Sequence, residues 1–277
     1  MNLDIPKRRR EFDDPHLLLT TSDNETLFIR KWVSKKDDAK NTGILLLHGI
    51  TAYSGPYSLI AGPIIELGYN VYGLDLRGHG LSDGNRGDYP SKERYIKDLC
   101  EAIHFIKQIH PKVVLLGHSL GVLSSVFVLG NCLENIDGVV LLSGARTTRP
   151  DVYPSISTLQ KLKILLNSIF RPSKPVIQYY REGMVGLDDP LFNFNYTFRF
   201  MKIAQTRDFV FPDLGSMPVF VGIGDSDQLF SVEACQSFFD EIPSTNKKFH
   251  VAAGGTHTEF PPGSLNPLPI WLDEQFD

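Results

Sequence analysis

Gly117-His118-Ser119-Leu120-Gly121 sets a serine between two glycines in the pattern G-x-S-x-G. A serine hydroxyl is a weak nucleophile until a neighbouring base takes its proton. The five residues are a short pattern that chance produces easily, so their surroundings carry the inference. An apolar run, Val113 to Leu116, enters the motif and an apolar helical stretch from Val122 leaves it. That is the strand, sharp turn and helix of a nucleophile elbow, which lifts the serine hydroxyl above the sheet edge. Gly117 and Gly121 suit the crowding of such a turn. A serine that merely caps the helix is the competing reading; the apolar strand and helix on either side favour the nucleophile.

A nucleophilic serine needs an imidazole within hydrogen-bond reach and a carboxylate that holds the imidazole's tautomer. In enzymes built on this elbow the partners follow in the order serine, acid, histidine. Two histidines lie downstream of Ser119. His250 falls inside a strand pattern and reads as structural. His257 follows Gly254-Gly255-Thr256, a loop that begins where the last strand ends, and is the expected base. The acid belongs after the strand Val219 to Ile223, where Asp225 and Asp227 both qualify; strand direction does not choose between them. Donors must also face the developing oxyanion. The Leu120 N–H follows the nucleophile directly. The second expected donor is the Ile50 N–H, in the loop His48-Gly49-Ile50 after the strand Ile44 to Leu47, with His48 as a structural hydrogen-bonder.

The elements that must position these groups alternate in the first half of the chain. His16 to Thr20 and Thr26 to Val33 read as an antiparallel edge hairpin. Strands at Ile44–Leu47, Val71–Leu74, Val113–Leu116 and Val139–Leu142 alternate with helices at Tyr57–Leu67, Lys92–Ile109 and Leu120–Leu129. This predicts an α/β fold with a mostly parallel, doubly wound sheet. After the sixth strand the alternation fails. Residues 146–210 hold repeated prolines, one amphipathic helix near Ile156 to Phe170, and an aromatic run from Phe192 to Phe200. They are expected to form a cap over the carboxyl edge of the sheet, where such sheets bind ligands. Strand and helix patterns resume at Val219–Ile223, Ser231–Asp240, Lys248–Ala252 and Ile270–Phe276. The core is thus expected over 1–145 and 211–277.

The chain has 277 residues and a net charge of −4, so no strongly basic surface points to nucleic acid. The basic run Lys7 to Arg10 is expected to be a solvated, mobile terminus. It is followed by acidic residues and Pro15 rather than an apolar stretch, so no secretory signal is read there. Cys100, Cys132 and Cys235 are too few and scattered to suggest a disulfide framework or zinc site. Cys132 and Cys235 are expected as buried thiols in a cytoplasmic protein. No glycine-rich phosphate loop or metal-binding pattern is present, so no cofactor or metal is expected.

Four motifs together resemble the monoacylglycerol lipase and lysophospholipase branch of the α/β-hydrolases, often grouped with the serine aminopeptidase S33 domain. They are His48-Gly49, the stretch Asp75-Leu76-Arg77-Gly78-His79-Gly80-Leu81-Ser82-Asp83-Gly84, the serine motif, and Gly224-Asp225-Ser226-Asp227-Gln228-Leu229. The resemblance covers residues 25 to 260. It implies an α/β-hydrolase fold and a carboxylic esterase acting through Ser119, Asp227 and His257, with Asp227 selected over Asp225 by the family's spacing. It leaves Asp75, Arg77 and His79 as a structural turn. The chain departs from the family in the proline-rich stretch after His257. Aminopeptidase members also need a cap carboxylate for the substrate amine, for which Glu182, Asp188 and Asp189 are the candidates.

The cap's apolar face (Ile156, Leu159, Leu162, Leu165, Leu166, Ile169, Phe170) and its aromatic run are expected to line the substrate pocket in part, since a unit this small buries little internally. The expected substrate is an uncharged small-molecule ester with a small to medium acyl chain, with transient contact of the cap with a lipid surface. The same triad would serve an S33-type amidase, a thioesterase or an acyltransferase. A non-catalytic binding module is disfavoured because all three triad positions are filled. Ser119 argues against dehalogenase and epoxide-hydrolase chemistry, which uses an aspartate there.

Overall fold

The structure, a computed structural model, describes residues 3–36, 39–150, 152, 157–180 and 184–277. After a short helix, α1 (Ile5–Arg10), the chain builds strands β1 (His16–Thr20), β2 (Thr26–Trp32) and β3 (Thr42–Leu47). A 3-10 turn at Gly55–Tyr57 leads into α2 (Ser58–Ile65) and β4 (Asn70–Leu74). Then come α3 (Lys92–Lys107), β5 (Lys112–His118), α4 (Leu120–Leu129) and β6 (Gly138–Leu142). The next segment holds α5 (Thr158–Phe170), two short strands, β7 (Ile177–Gln178) and β8 (Asn195–Tyr196), and α6 (Phe198–Ala204). The chain returns through β9 (Val219–Gly224), α7 (Val232–Asp240), β10 (Lys247–Ala252) and α8 (Pro267–Phe276).

Eight strands pair in the order β1-β2-β4-β3-β5-β6-β9-β10. β2 runs antiparallel to both β1 and β4, and every other neighbour is parallel. The expected doubly wound sheet is therefore present, with its hairpin at one edge. All residues of β3, β6 and β9 are buried, as strands covered on both faces must be. One apolar layer packs α3, α4 and α7 against the sheet; the other packs α2 and α8. α4 is buried at all ten positions, which explains why its sequence is apolar all round. The loops after β3, β5, β9 and β10 all leave the same edge, and each carries one expected site residue.

Several expectations are corrected. The basic run is not a free terminus: it forms α1, capped by Asp4, and Arg9 donates to the Leu81 carbonyl and pairs with Asp83 at 3.0 Å. The segment between β6 and β9 has more structure than one helix. Tyr196 and Phe200 are fully buried in the main core rather than free to line a pocket. Conversely, α5 buries none of its residues; Leu159, Leu165, Ile169 and Phe170 remain more than half exposed. Ile156 and Glu182 lie outside the described residues. The proline-rich stretch after His257 forms a loop, and the last helix starts only at Pro267, with Trp271 and Leu272 packed into the second layer.

The expectation of buried thiols fails for Cys132 and holds for Cys235. Cys100 on α3 and Cys132 after α4 form a disulfide, their Cα atoms 6.1 Å apart. α3 and α4 lie side by side, which joins cysteines 32 residues apart in sequence. Cys235 is buried and free, and burial pushes its thiol up to about 12. Disulfides persist mainly in oxidising compartments, so the bond removes the argument for a reducing cytoplasm.

Breaking this bond frees a loop of 32 residues' separation in the unfolded chain. Loop-closure entropy then predicts that Cys100→Ser lowers stability by on the order of 3–4 kcal/mol. Chemical denaturation with and without reductant checks this. Wild type under reductant should unfold like the variant, and a denaturation midpoint indifferent to both changes would contradict the pairing.

Candidate active site

Ser119 sits at the turn from β5 into α4 with φ 55° and ψ −112°. A non-glycine residue in that region is strained by about 1–3 kcal/mol and is held there only by its surroundings. Two contacts hold it. Its N–H donates to the Leu142 carbonyl on β6 at 3.0 Å, and the flanking glycines let three backbones approach. A Cβ on Gly117 would lie 2.2 Å from the Gly121 carbonyl oxygen, and one on Gly121 only 2.0 Å from the Leu47 carbonyl oxygen. Any side chain at either position would push the elbow off the sheet.

The structure brings together the three residues expected to act as nucleophile, base and acid. His257 Nε2 is 3.0 Å from Ser119 Oγ. His257 Nδ1 is 3.0 and 3.2 Å from the two Asp227 oxygens. Asp227 Oδ1 also accepts the Leu229 and Phe230 N–H groups at 2.7 and 2.9 Å. Burial alone would raise this carboxyl. Its hydrogen bond to His257 and those two N–H donors outweigh burial and lower it to about 2. An ionised Asp227 requires the proton on His257 Nδ1, which leaves Nε2 free to accept from Ser119. Asp225 stands apart: its carboxylate accepts the Gly254 N–H at 3.0 Å and braces the turn. His250 donates to or accepts nothing at the site; its ring meets the Ser264 carbonyl at 2.7 Å.

The Ile50 and Leu120 N–H groups both border the space at Ser119. Among the described residues neither donates to another backbone carbonyl. The Gly49–Ile50 peptide is fixed from its other side: His48 Nδ1 meets the Gly49 carbonyl at 2.8 Å, while the Leu76 N–H donates to His48 Nε2 at 3.1 Å. That pair of partners makes His48 a neutral Nδ1–H donor. Burial, the largest influence, pushes it down to about 4. The Ile50 carbonyl is held by the Tyr196 hydroxyl at 2.7 Å and the His79 ring at 3.1 Å.

Three residues that the motifs did not single out as contributors tie these loops together. The Gly49 N–H donates to the Tyr57 hydroxyl at 2.7 Å, and that hydroxyl donates to His118 Nδ1 at 2.8 Å. His118 Nε2 then donates to the His257 carbonyl at 2.7 Å. The Gln228 side chain accepts the His257 N–H at 3.3 Å. Burial, followed by the neighbouring His257 ring, pushes His118 down to about 3, so it stays a neutral strut. The stretch 75–84 is a brace as well. Buried Asp75 accepts the Ser54 and Leu81 N–H groups at 2.6 and 2.8 Å, and Arg77 grips Asp98 at 2.7 and 3.0 Å. No group of metal-ligating side chains occurs among the described residues.

The cavity at Ser119 has a volume of about 510 Å³. The segment between β6 and β9 contributes Tyr179, Met184, Val185 and Phe192 to its wall, and α5 contributes nothing. Asp189, one of the candidate amine-binding carboxylates, instead accepts the Tyr53 hydroxyl at 2.9 Å, and neither it nor Asp188 lines this cavity.

Comparison with known proteins places the chain in a family and a fold. The profile of the family described as serine aminopeptidase, S33, matches residues 38–260. An uncharacterised abhydrolase domain-containing protein of Dictyostelium discoideum is 26% identical over 245 residues, covering 83% of this chain; the chain spans only 25% of that protein's length. Monoglyceride lipase of Rattus norvegicus is 24% identical over 260 residues, covering 88% of this chain and 83% of the lipase. In fold, the chain is similar to a soluble variant of monoglyceride lipase from Saccharomyces cerevisiae, solved with a substrate analogue. The TM-score is 0.77 at 16% identity, with 96% of each chain covered.

The two buried struts make stability depend on pH. His48 and His118 fall from an ordinary 6.5 to about 4 and about 3 in the folded chain. The unfolded chain therefore binds protons that the folded chain refuses. Their contribution is complete above pH 6.5 and declines as pH falls toward 4. The combined loss should be on the order of a few kcal/mol. Denaturant midpoints measured across that window should fall steadily; a flat profile would mean the two rings are not held neutral.

Proposed function

The chain belongs to the serine aminopeptidase S33 family, and from its site we infer that it is a carboxylic ester hydrolase working through an acyl-enzyme. The observation that carries this reading is the unbroken relay from Ser119 Oγ through His257 to Asp227, beside the Ile50 and Leu120 N–H groups, which have no backbone partner among the described residues. In the first half-reaction Ser119 Oγ bonds to the ester carbonyl carbon while its proton passes to His257 Nε2. The Ile50 and Leu120 N–H groups donate to the oxyanion, an effect worth on the order of 10²–10³ in rate for one donor. Collapse breaks the bond to the alcohol, which leaves with the proton from His257. Water then attacks the acyl-enzyme, gives a proton to His257, and the acid departs as Ser119 recovers its hydrogen. Asp227 stays ionised throughout and offsets the charge of the imidazolium.

Ester rather than peptide chemistry is favoured by the cavity wall. It is mostly apolar, and among the described residues its one aspartate or glutamate, Glu259, is exposed rather than set to grip an amine. Relatives named monoglyceride or monoacylglycerol lipase, in Rattus norvegicus and Mycolicibacterium smegmatis, support monoacylglycerol-like esters, or others of short to medium acyl chain, as the class to try first. Acyl transfer to an alcohol and thioester cleavage would use the same groups. Residues 146–210 act in this reading as a cap.

Wild-type protein should react with a fluorophosphonate probe and Ser119→Ala should not. The substitution should lower ester turnover by on the order of 10⁴–10⁶. Labelling that survives Ser119→Ala would exclude Ser119 as nucleophile, and faster cleavage of aminoacyl naphthylamides than of monoacylglycerols would move the reading to a peptidase.

α5 gives the cap a lipid-facing surface. Its exposed Leu159, Leu165, Ile169 and Phe170 share the helix with Lys161 and Lys163, the composition of a helix that lies in a membrane interface. No helix among the described residues is long and apolar enough to cross a membrane. Sedimentation with anionic phospholipid vesicles should carry the wild type down, and Leu165→Asp combined with Phe170→Asp should release it. Equal sedimentation of both proteins would rule out this contact.

A further inference from the structure

Two cavities meet at Ser119, and they differ in size and in which reacting group lines them. The larger, about 510 Å³, is bordered by His257 and walled by Leu59, Ile60 and Pro63 of α2 and by Phe260, Pro262 and Leu265. The smaller, about 50 Å³, is bordered by Leu120 and not by His257, and is walled by Ala145, Met201, Phe209 and Phe230. Ser119 and Ile50 border both.

The chemistry decides which half of an ester each space receives. When the tetrahedral intermediate collapses, the alcohol oxygen takes its proton from His257 Nε2. That oxygen, and the group it carries, must therefore lie on the His257 side, in the larger cavity. The oxyanion must lie against the Ile50 and Leu120 N–H groups. The acyl substituent takes the remaining direction from the carbon, which opens into the smaller cavity. On a scale where about 10–15 Å³ admits one water, that space admits an acyl group of roughly two to four carbons. Met201 and Phe230 in its wall are buried, and Gly144, also in the wall, stands so close to Val122 that a Cβ would lie 2.7 Å from it.

We propose that this chain hydrolyses esters of short acids with bulky apolar alcohols, the alcohol lying between α2 and the proline-rich loop after His257. This rests on the ester hydrolase reading above and adds the orientation of the ester. It makes the loop at 258–266 a specificity determinant, rather than the helix α5. In the reaction the bond from the short acyl carbon to the bulky alcohol oxygen breaks, Ser119 Oγ takes its place on the carbon, and the Ser119 proton leaves on the alcohol.

Decyl acetate and ethyl decanoate are isomers, equal in composition and close in hydrophobicity, that exchange the two halves. Hydrolysis of each by the full chain, followed by product chromatography, reads the orientation directly. Decyl acetate should have the higher kcat/KM by at least about 100-fold, the scale of discrimination a pocket shows toward one unaccommodated methylene or more. Met201→Ala, which enlarges the small cavity, should narrow that ratio about ten-fold by raising turnover of ethyl decanoate. Leu59 is 86% exposed at the mouth of the large cavity, so its replacement should not disturb folding. Leu59→Asp should therefore lower kcat/KM for decyl acetate about ten-fold more than for ethyl acetate. A preference for ethyl decanoate, equal rates, or fluorophosphonate labelling of Ser119 without turnover of decyl acetate overturns the orientation. Absence of labelling overturns the hydrolase reading itself.

Discussion

The site depends on a backbone conformation that an amino acid with a side chain ordinarily avoids. Ser119 has positive φ because β5 must end, the serine must rise above the sheet, and α4 must begin within the space of one residue. The strain is offset by packing that only glycine permits on either side. Gly121 lies against β3 and Gly117 against the first turn of α4, so the elbow is clamped by the two elements it joins and by the strand beside them. With the elbow fixed, the direction of the Leu120 N–H follows without further adjustment, because that group is the first of the orphan donors at the start of α4. The proposed nucleophile and one proposed oxyanion donor are thus products of a single turn.

The other groups arrive on separate loops, and buried neutral imidazoles hold those loops in register. His48 fixes the peptide that presents the Ile50 N–H; His118 links Tyr57, on the same loop, to the main chain of His257. These rings surround a base of the same residue type, yet their environments separate their roles. His48 and His118 each find a carbonyl acceptor for one nitrogen and a donor for the other, so the neutral form satisfies both. His257 alone faces a carboxylate on one side and a hydroxyl on the other, the pairing that the proposed relay requires. The distinction lies in partners and not in burial, since all three are almost wholly enclosed.

Much of this was legible in the sequence, and the exceptions share a cause. Strands such as Ile44–Leu47 announce themselves as apolar runs because both faces of a parallel sheet are covered, and the loops that follow them are then placed by topology. Ser119, His257 and Ile50 could be located in that way. Asp227 could not be separated from Asp225 by direction alone, since both lie in one turn; the resemblance made the choice, and the structure gives Asp225 a bracing role. Tyr57 carries no signal in spacing, because its hydroxyl acts across eight residues of irregular chain. Cys100 and Cys132 likewise pair through the packing of α3 beside α4, a contact between helices that no local pattern records. The aromatic run divides for the same reason, Phe192 lining the cavity while Tyr196 and Phe200 join the core: apolar composition says that a segment is buried, but not against what.

That last ambiguity bears on how the site is divided. Phe200 and Tyr196, expected at the ligand, complete the main core, and Tyr196 reaches through it to the Ile50 carbonyl. The second half of the inserted segment is thereby committed to supporting the loop of Ile50, the proposed oxyanion donor. It is further anchored by Arg199 and Thr197 on buried Asp88. A segment so committed cannot be remodelled for a new ligand without disturbing the donor it braces. The loop after His257 braces no such donor; beyond the bonds between Thr256 and Glu259 that close its first turn, it is less constrained. Its prolines keep it from continuing as a helix, its residues line the larger cavity, and its main ties, the meeting of His250 with the Ser264 carbonyl and the packing of Leu268 and Trp271, lie away from the reacting atoms. Changes of size and polarity there alter the space beside the base while leaving the base in position, so the departure from the family pattern falls where the fold can accommodate it.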